Sequence, residues 1–391
     1  MNFKIPFASR AHNYMDNEID SVIRVMRNAK ILTQGDYLKD FESKFANYLS
    51  VEKVFALSNA ASALDLVAQL CQFNDGDEII IPAHTYIASA YPFIKHGAKI
   101  VWCDIDPFTR VISLETIKKI FTKKTKAILA VHLYGFCVDL NEILEFSKNN
   151  NVILIEDAAQ AIGSSINNKM AGTFGDFGVF SFHSHKNMST LGEGGALYVK
   201  DKNLQEIIPM LRHNGHCDFS YSREHYWKPA MGNVDLPILN GRTLMPNNFC
   251  LSEVQCAVGI ILIDRVDEIN LKKRERAIHF IDSVGDSQLI KFHRVDSARH
   301  NYHLLVAEVS SNNRDFFIEE MSKEGIQCVV QYYPLYRYDF FKKLGLSQAD
   351  CPNTDAFFDN MISFPFHHKL SNEDFEYILN SAKKIIDKIG L

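Results

Sequence analysis

The sequence predicts an α/β protein: a mainly parallel central sheet flanked by helices, with a smaller C-terminal α+β domain. Three observations predict it. Short apolar runs alternate with stretches of helical spacing over the first two thirds of the chain, which is the pattern of successive βαβ units. The runs are apolar throughout, so helices are expected on both faces of the sheet. After about residue 255 the alternation gives way to a long helical stretch and a segment with its own strands and helices.

Taken in order, Met15 to Asn28 (MDNEIDSVIRVMRN) has helical character, and Asp40 to Leu49 repeats it with Phe41, Phe45 and Leu49 on one face. Lys53 to Ser58 (KVFALS) is a short apolar run, and Ala61 to Cys71 is apolar at helical spacing. Glu78 to Pro82 (EIIIP) reads as a buried strand and Ile87 to His96 as the helix after it. Further strands are expected at Ile100 to Asp104, Ala127 to His132 and Val152 to Glu156, with Gly178 to Phe182 pairing with Gly195 to Val199. A helical stretch from Glu253 to Arg276 bridges into the second part. There, His303 to Val309 and Gln327 to Gln331 read as strands, and Arg314 to Glu324 and Asn372 to Ile389 as helices. The boundary is placed so that residues 1–262 form the large domain and 263–391 the small one.

A chain of 391 residues fits two domains at roughly 150 residues each. With 47% hydrophobic and 23% charged residues it reads as globular, which sets aside disorder, collagen-like repeats and coiled coil. The net charge of -5 argues against a general nucleic-acid binder. No apolar run approaches the roughly 20 residues of a membrane span, and the first residues carry no apolar signal region. Eight scattered cysteines without a C-x-x-C pair read as reduced thiols of a cytoplasmic protein, and no zinc pattern or other metal site is expected.

Ligands of open α/β sheets sit at the carboxyl ends of the strands, and that rule selects the loops to read. Ser58-Asn59-Ala60-Ala61-Ser62 opens a helix, whose free N–H groups suit a phosphate; taken alone, the same residues are an ordinary N-cap. Tyr86, after the second strand, can stack on a flat ring or be a half-buried aromatic. Asp157 follows an apolar strand, where a carboxylate can hold a proton on a ring nitrogen or simply cap a helix. Lys186 lies between an apolar strand and the Gly192-Glu193-Gly194-Gly195 turn. Facing inward, its amine would be desolvated and usable for a Schiff base, whereas most lysines are solvated. Each signal is weak, but the ordered set on successive strand ends is specific.

That set, with IPFASR, ILTQGDYLKDFESKFANYL, SNAASALDL, IPAHTYIASA, AVHLYGF, IEDAAQAIGS, FSFHSHKNMSTLGEGGAL, NNFCLSEVQCAVG, YYPLY and ISFPFHHKLSNED, resembles the DegT/DnrJ/EryC1/StrS sugar aminotransferases, a group of fold-type I pyridoxal phosphate enzymes. The resemblance spans almost the whole chain. It implies that Lys186 holds the cofactor as an internal aldimine and that Asp157 pairs with the pyridine nitrogen. It places Gln160 near the 3-hydroxyl, Tyr86 on the ring, and Ser181 with the Ala60 and Ala61 backbone at the phosphate. Asn248 is lent by a neighbouring subunit, which implies a homodimer with shared sites. It also implies transfer of an amino group, with pyridoxamine phosphate as the intermediate form, from glutamate or a similar amino acid to a keto-sugar, typically nucleotide-linked, in amino-sugar or surface-polysaccharide biosynthesis. A small phosphorylated ketone is the alternative acceptor.

Three departures bear on the site. Ala60-Ala61 stands where the family has Gly-Thr, and Ser62 is a candidate replacement for the lost hydroxyl. Cys250 replaces an Arg, and the 212–243 stretch, with His213, His216, Trp227 and Arg242, is atypical and a candidate substrate loop. His183, His185 and Tyr333 join Arg242 as candidate substrate contacts, and His367-His368 reads as a solvated turn. Two rival readings are a lyase or dehydratase of the same family, whose sugar dehydratases replace the lysine with His, and a non-catalytic regulator. Lys186 argues against that dehydratase branch, but not against other lyase chemistry. The absence of a basic tail or DNA-binding segment argues against the second.

Overall fold

The computed structural model describes residues 3–7, 10–219, 231–310 and 312–390. Seven strands form the central sheet: β1 (Val54–Leu57), β2 (Glu78–Pro82), β3 (Lys99–Cys103), β4 (Thr125–Val131), β5 (Ile153–Asp157), β6 (Phe177–Ser181) and β7 (Gly195–Val199). Their order is β1-β7-β6-β5-β4-β2-β3. β2 pairs in parallel with β3 and β4, and β5 in parallel with β4 and β6. β7 runs antiparallel to β6 and to β1, so one strand of the seven is reversed. The wholly buried strands explain the unbroken apolar runs: helices cover both faces, so neither can be polar.

The helices used below are α1 (Asp16–Asn28), α2 (Asp36–Leu49), α3 (Ala60–Cys71), α4 (Tyr91–Lys95), α5 (Leu114–Ile120), α6 (Asn141–Asn149), α7 (Glu253–Ile263) and α8 (Val266–Val284). They are followed by α9 (Arg314–Lys323), α10 (Pro352–Asn360) and α11 (Asn372–Gly390). The C-terminal strands β8 (Ile290–Phe292), β9 (Leu305–Val309) and β10 (Met361–Phe364) form a three-stranded antiparallel sheet. Helices α8, α9 and α11 supply Phe280, Phe317 and Leu379 to the apolar cluster that includes its side chains. The larger cluster follows the central sheet, and Leu335, Tyr336, Phe341 and Phe357 return to it from late in the chain. The boundary expected at 262 and 263 falls in the last turn of α7. No helix among the described residues is long and apolar enough to cross a membrane.

Several elements differ from expectation for reasons beyond local spacing. α2 begins at Asp36, not Asp40, because the distant Glu253 carboxylate accepts from the Gly35 and Tyr37 N–H groups, at 2.9 Å each. This satisfies donors that a helix start leaves open. The stretch from Glu253 to Arg276 breaks in two at Asp264 and Arg265, whose N–H groups bond to Ile261 and Leu262 three residues back. Arg265 turns to pair with buried Glu18, and Asp264 with Lys44 at 2.6 Å. Ile87 to His96 is a 3₁₀ turn followed by the short α4, in which Pro92 cannot donate to the preceding turn. Gln327 to Gln331 is not a strand: Val329 makes one bridge to Ser363, and beyond it the backbone turns so that the Gln331 carbonyl accepts from the Tyr134 hydroxyl at 2.6 Å.

Candidate active site

The carboxyl ends of β1, β2, β4, β5 and β6 open on one cavity of about 510 Å³. That volume lies within the roughly 300–1,000 Å³ of small-molecule sites. Lys186, Asp157, Gln160, Tyr86, Ser181, Ala60, Ala61, His183 and His185 all line it, from strand ends that are far apart in sequence.

Each is placed by local structure. Asp157 is the last residue of β5 and is 6% exposed. The Ser89 hydroxyl donates to its Oδ2 at 2.7 Å and the Ala159 N–H to its Oδ1 at 3.1 Å, so the carboxylate has a fixed orientation. The adjacent Glu156 points the other way. It accepts from Gly172 N–H at 2.8 Å and Gly175 N–H at 2.6 Å, and it meets His132 at 2.8 Å. Gln160 is also clamped, donating to the Tyr332 hydroxyl at 3.0 Å and accepting from Tyr134 N–H at 2.7 Å. Ser181 ends β6 and is nearly buried.

Lys186 follows β6 on a tight loop, its N–H bonded to the His183 carbonyl at 2.8 Å. The His12 ring donates to the Lys186 carbonyl at 3.0 Å. Burial pushes the Lys186 amine down from 10.5 to about 8, against the opposing charge of Asp157. An amine so shifted has a usable free base near neutral pH. His183 meets Glu193 at 3.7 Å, and its ring lies edge-on to that of His185, 4.9 Å between centroids.

The N-terminus of α3 forms one wall. Asn59 caps it by accepting from Ser62 N–H at 2.8 Å, which leaves Ala60 and Ala61 at the cavity. Ser62 does not replace the missing threonine hydroxyl there. Its Oγ is bonded to Asn59 at 3.0 Å and Ser58 at 2.9 Å, within the cap, and it does not line the cavity. Gly195, opposite Ser181 on β7, is required here: a Cβ on it would stand 2.6 Å from the Ala60 nitrogen.

Other candidates lie elsewhere. Arg242 does not reach the cavity; it donates to the Phe73 carbonyl at 2.7 Å and to Asn74 at 2.6 Å. Tyr333 packs edge-on against Tyr338 and Phe358 outside the cavity, while its neighbour Tyr332 lines it. Asn248 is exposed and outside the cavity of its own chain, bridged to His213. None of the described residues of 212–243 lines this chain's cavity, and Trp227 lies outside the described residues. Cys250 is half-buried, its Sγ against the Arg212 carbonyl at 3.5 Å. His367-His368 is not a solvated turn: both rings are half-buried and held near 4 by burial and nearby cations, and His367 lines the cavity.

Sequence reading also missed Ser89, Tyr332 and His303. An aromatic pair, YY, was the one signal near Tyr332; nothing local marks the others.

These residues fit a pyridoxal phosphate cofactor. They offer a carboxylate for a ring nitrogen, an amine for an aldehyde, and helix N–H groups whose approach a side chain at position 195 would block. Among the described residues lining the cavity, Lys186 is the sole lysine or arginine.

The family model for the DegT/DnrJ/EryC1/StrS aminotransferase family matches residues 13–383. The chain belongs to that family. GDP-perosamine synthase of Caulobacter vibrioides is 30% identical over 95% of this chain and 95% of its own. The dTDP-3-amino-3,6-dideoxy-alpha-D-galactopyranose transaminase of Aneurinibacillus thermoaerophilus is also 30% identical, over 92% and 93%. The structure of Spr1654 from Streptococcus pneumoniae in its PLP form superimposes with a TM-score of 0.84 at 26% identity, covering 98% of this chain and 99% of that one. This aminotransferase therefore has the α/β fold, mainly parallel central sheet included, of its family.

Proposed function

We propose that the enzyme carries an amino group from glutamate to the carbonyl of a nucleotide-linked keto-sugar, with pyridoxal phosphate as carrier, and acts as a cytoplasmic homodimer. The observation that carries the reading is the convergence of Lys186, Asp157 and the α3 N-terminus on one cavity. The two curated relatives named above have GDP and dTDP in their names, which supports a nucleotide-linked acceptor.

When bound, pyridoxal phosphate supplies an aldehyde that takes up an amine nitrogen and a ring that stores the electron pair of a broken C–H bond. Asp157, fixed by Ser89 and Ala159, holds a proton on the ring nitrogen. Lys186 Nζ takes the proton from the donor's α-carbon and, in the second half-reaction, returns one to the acceptor's carbonyl carbon. The Ala60 and Ala61 N–H groups and Ser181 Oγ would bind the phosphate, Tyr86 would hold the ring and Gln160 the 3-hydroxyl side of it. His183 and His185 face the substrate. Among the described residues no arginine lines the cavity, which supports a contribution from a neighbouring subunit, for which exposed Asn248 is the candidate.

The test is to convert the enzyme to its pyridoxamine form with glutamate and then add acceptors, following the return of the pyridoxal absorbance. Nucleotide-linked keto-sugars should restore it. Return with phosphorylated ketones alone would move the substrate assignment, and ketone formation without amino transfer would replace transamination by lyase chemistry.

A further inference from the structure

Lys273, on α8, is buried beside this site, and the chemistry above does not use it. It is 3% exposed, and among the described residues no carboxylate pairs with it. Its Nζ donates to the Asn187 side-chain oxygen at 2.8 Å and the His303 carbonyl at 2.9 Å, and stands 5.3 Å from the centre of the Phe366 ring. Burial without a counter-ion pushes the Lys273 amine down from 10.5 to about 7, a cost that an apolar side chain of similar volume filling the space would avoid. The choice of lysine therefore points to what its two acceptors do.

Asn187 is the residue after Lys186. Its amide also donates to Asn270 at 2.8 Å and to the Asn301 carbonyl at 3.3 Å. Asn301 in turn donates to the carbonyls of Gln160 at 3.0 Å and Ile162 at 2.9 Å. His303 and Leu304 line the cavity. Lys273 thus ties the loop that carries Lys186 to the cavity wall and, through Asn301, to the peptide of Gln160. The titratable groups facing it are His12 from the N-terminal segment, His300 and His303 before β9, and His367 and His368 after β10. All five are kept neutral by burial first, with the Lys273 charge adding to it.

We propose that Lys273 is a positioning residue for Lys186: through the Asn187 amide and the His303 carbonyl it holds the peptide that presents the reactive amine to the cavity. The proposal rests on reading Lys186 as that amine.

The test compares the cofactor-loaded enzyme with Lys273→Met, Asn187→Ala and the double variant. Folding is checked by thermal melting; kcat, KM and the pH midpoint of the pyridoxal–lysine absorbance are measured. Because Lys273 acts through Asn187, each single change should lower kcat about 30-fold with little change in KM, a loss typical of a misplaced reactive group. The double variant should be no worse than the poorer single one. The absorbance midpoint should move in both, and Lys273→Arg should recover part of the loss. If Lys273→Met does not fold, Lys273→Gln, which keeps one donor, replaces it in the cycle. Losses that multiply in the double variant, or an unchanged midpoint with kcat within about twofold of the parent, would overturn the proposal. A Lys186→Ala enzyme that keeps the pyridoxal–lysine band would instead overturn the reading of Lys186 itself.

Discussion

In the proposed mechanism Lys186 is the residue on which the chemistry turns, and its burial has a measurable consequence. In the cofactor-free protein its amine titrates near 8 rather than 10.5. Only the neutral amine attacks an aldehyde, so pyridoxal phosphate uptake should rise about tenfold per pH unit below 8 and level off above it. A rise continuing towards 10.5 would show a solvated lysine. The same shift favours the neutral amine in the folded chain while the unfolded chain stays protonated between about 8 and 10.5, so this group's contribution to stability rises with pH across that window. Borohydride trapping followed by peptide mass spectrometry should place the pyridoxyl group on Lys186; label on Lys273 would reverse the assignment of the two lysines. That Lys186 and Asp157 line one cavity was legible in sequence, because strand ends and a family pattern mark them. Ser89 and Tyr332 were not, because they meet Asp157 and Gln160 across 68 and 172 residues of chain. Arg242 misled for the converse reason: a cation in an atypical loop is bonded to the backbone at Phe73, not to the cavity.

At the scale of elements, the proposed phosphate wall depends on how closely β7 approaches α3. Gly195→Ala should push a Cβ against Asn59 and Ala60. We expect strain of about 1–3 kcal/mol and a pyridoxal phosphate Kd weakened about tenfold, read by equilibrium titration; an unchanged Kd would detach α3 from phosphate binding. Glu253→Ala should leave the Gly35 and Tyr37 N–H groups without their acceptor. A loss of about 1–3 kcal/mol is expected by denaturant unfolding, and no loss would show that water caps α2 equally well. The strands of the central sheet could be read from sequence because burial on both faces leaves an unbroken apolar run. The early start of α2 and the break between α7 and α8 could not, since each is set by a partner more than 200 residues away.

For the whole molecule, the central question is whether one chain makes a complete site. Asn248 is exposed and lies outside its own chain's cavity. If it serves a neighbour, Lys186→Ala and Asn248→Ala enzymes, each impaired alone, should complement after mixing and subunit exchange. Random pairing leaves one intact site in half of the dimers, so about a quarter of parental activity should return. No recovery, with exchange verified, would place the whole site on one chain. The fold was legible because a hydrophobic pattern repeated over seven strands admits few topologies; the assembly was not, because a surface asparagine looks the same in either role. The most direct test of the account supplies glutamate labelled with ¹⁵N at its amino group and a nucleotide-linked keto-sugar, and follows the sugar product by mass spectrometry. The account predicts an amino-sugar carrying the label, formed by the parent enzyme and absent with Lys186→Ala. A product without the label, or equal labelling with Lys186→Ala, would contradict it.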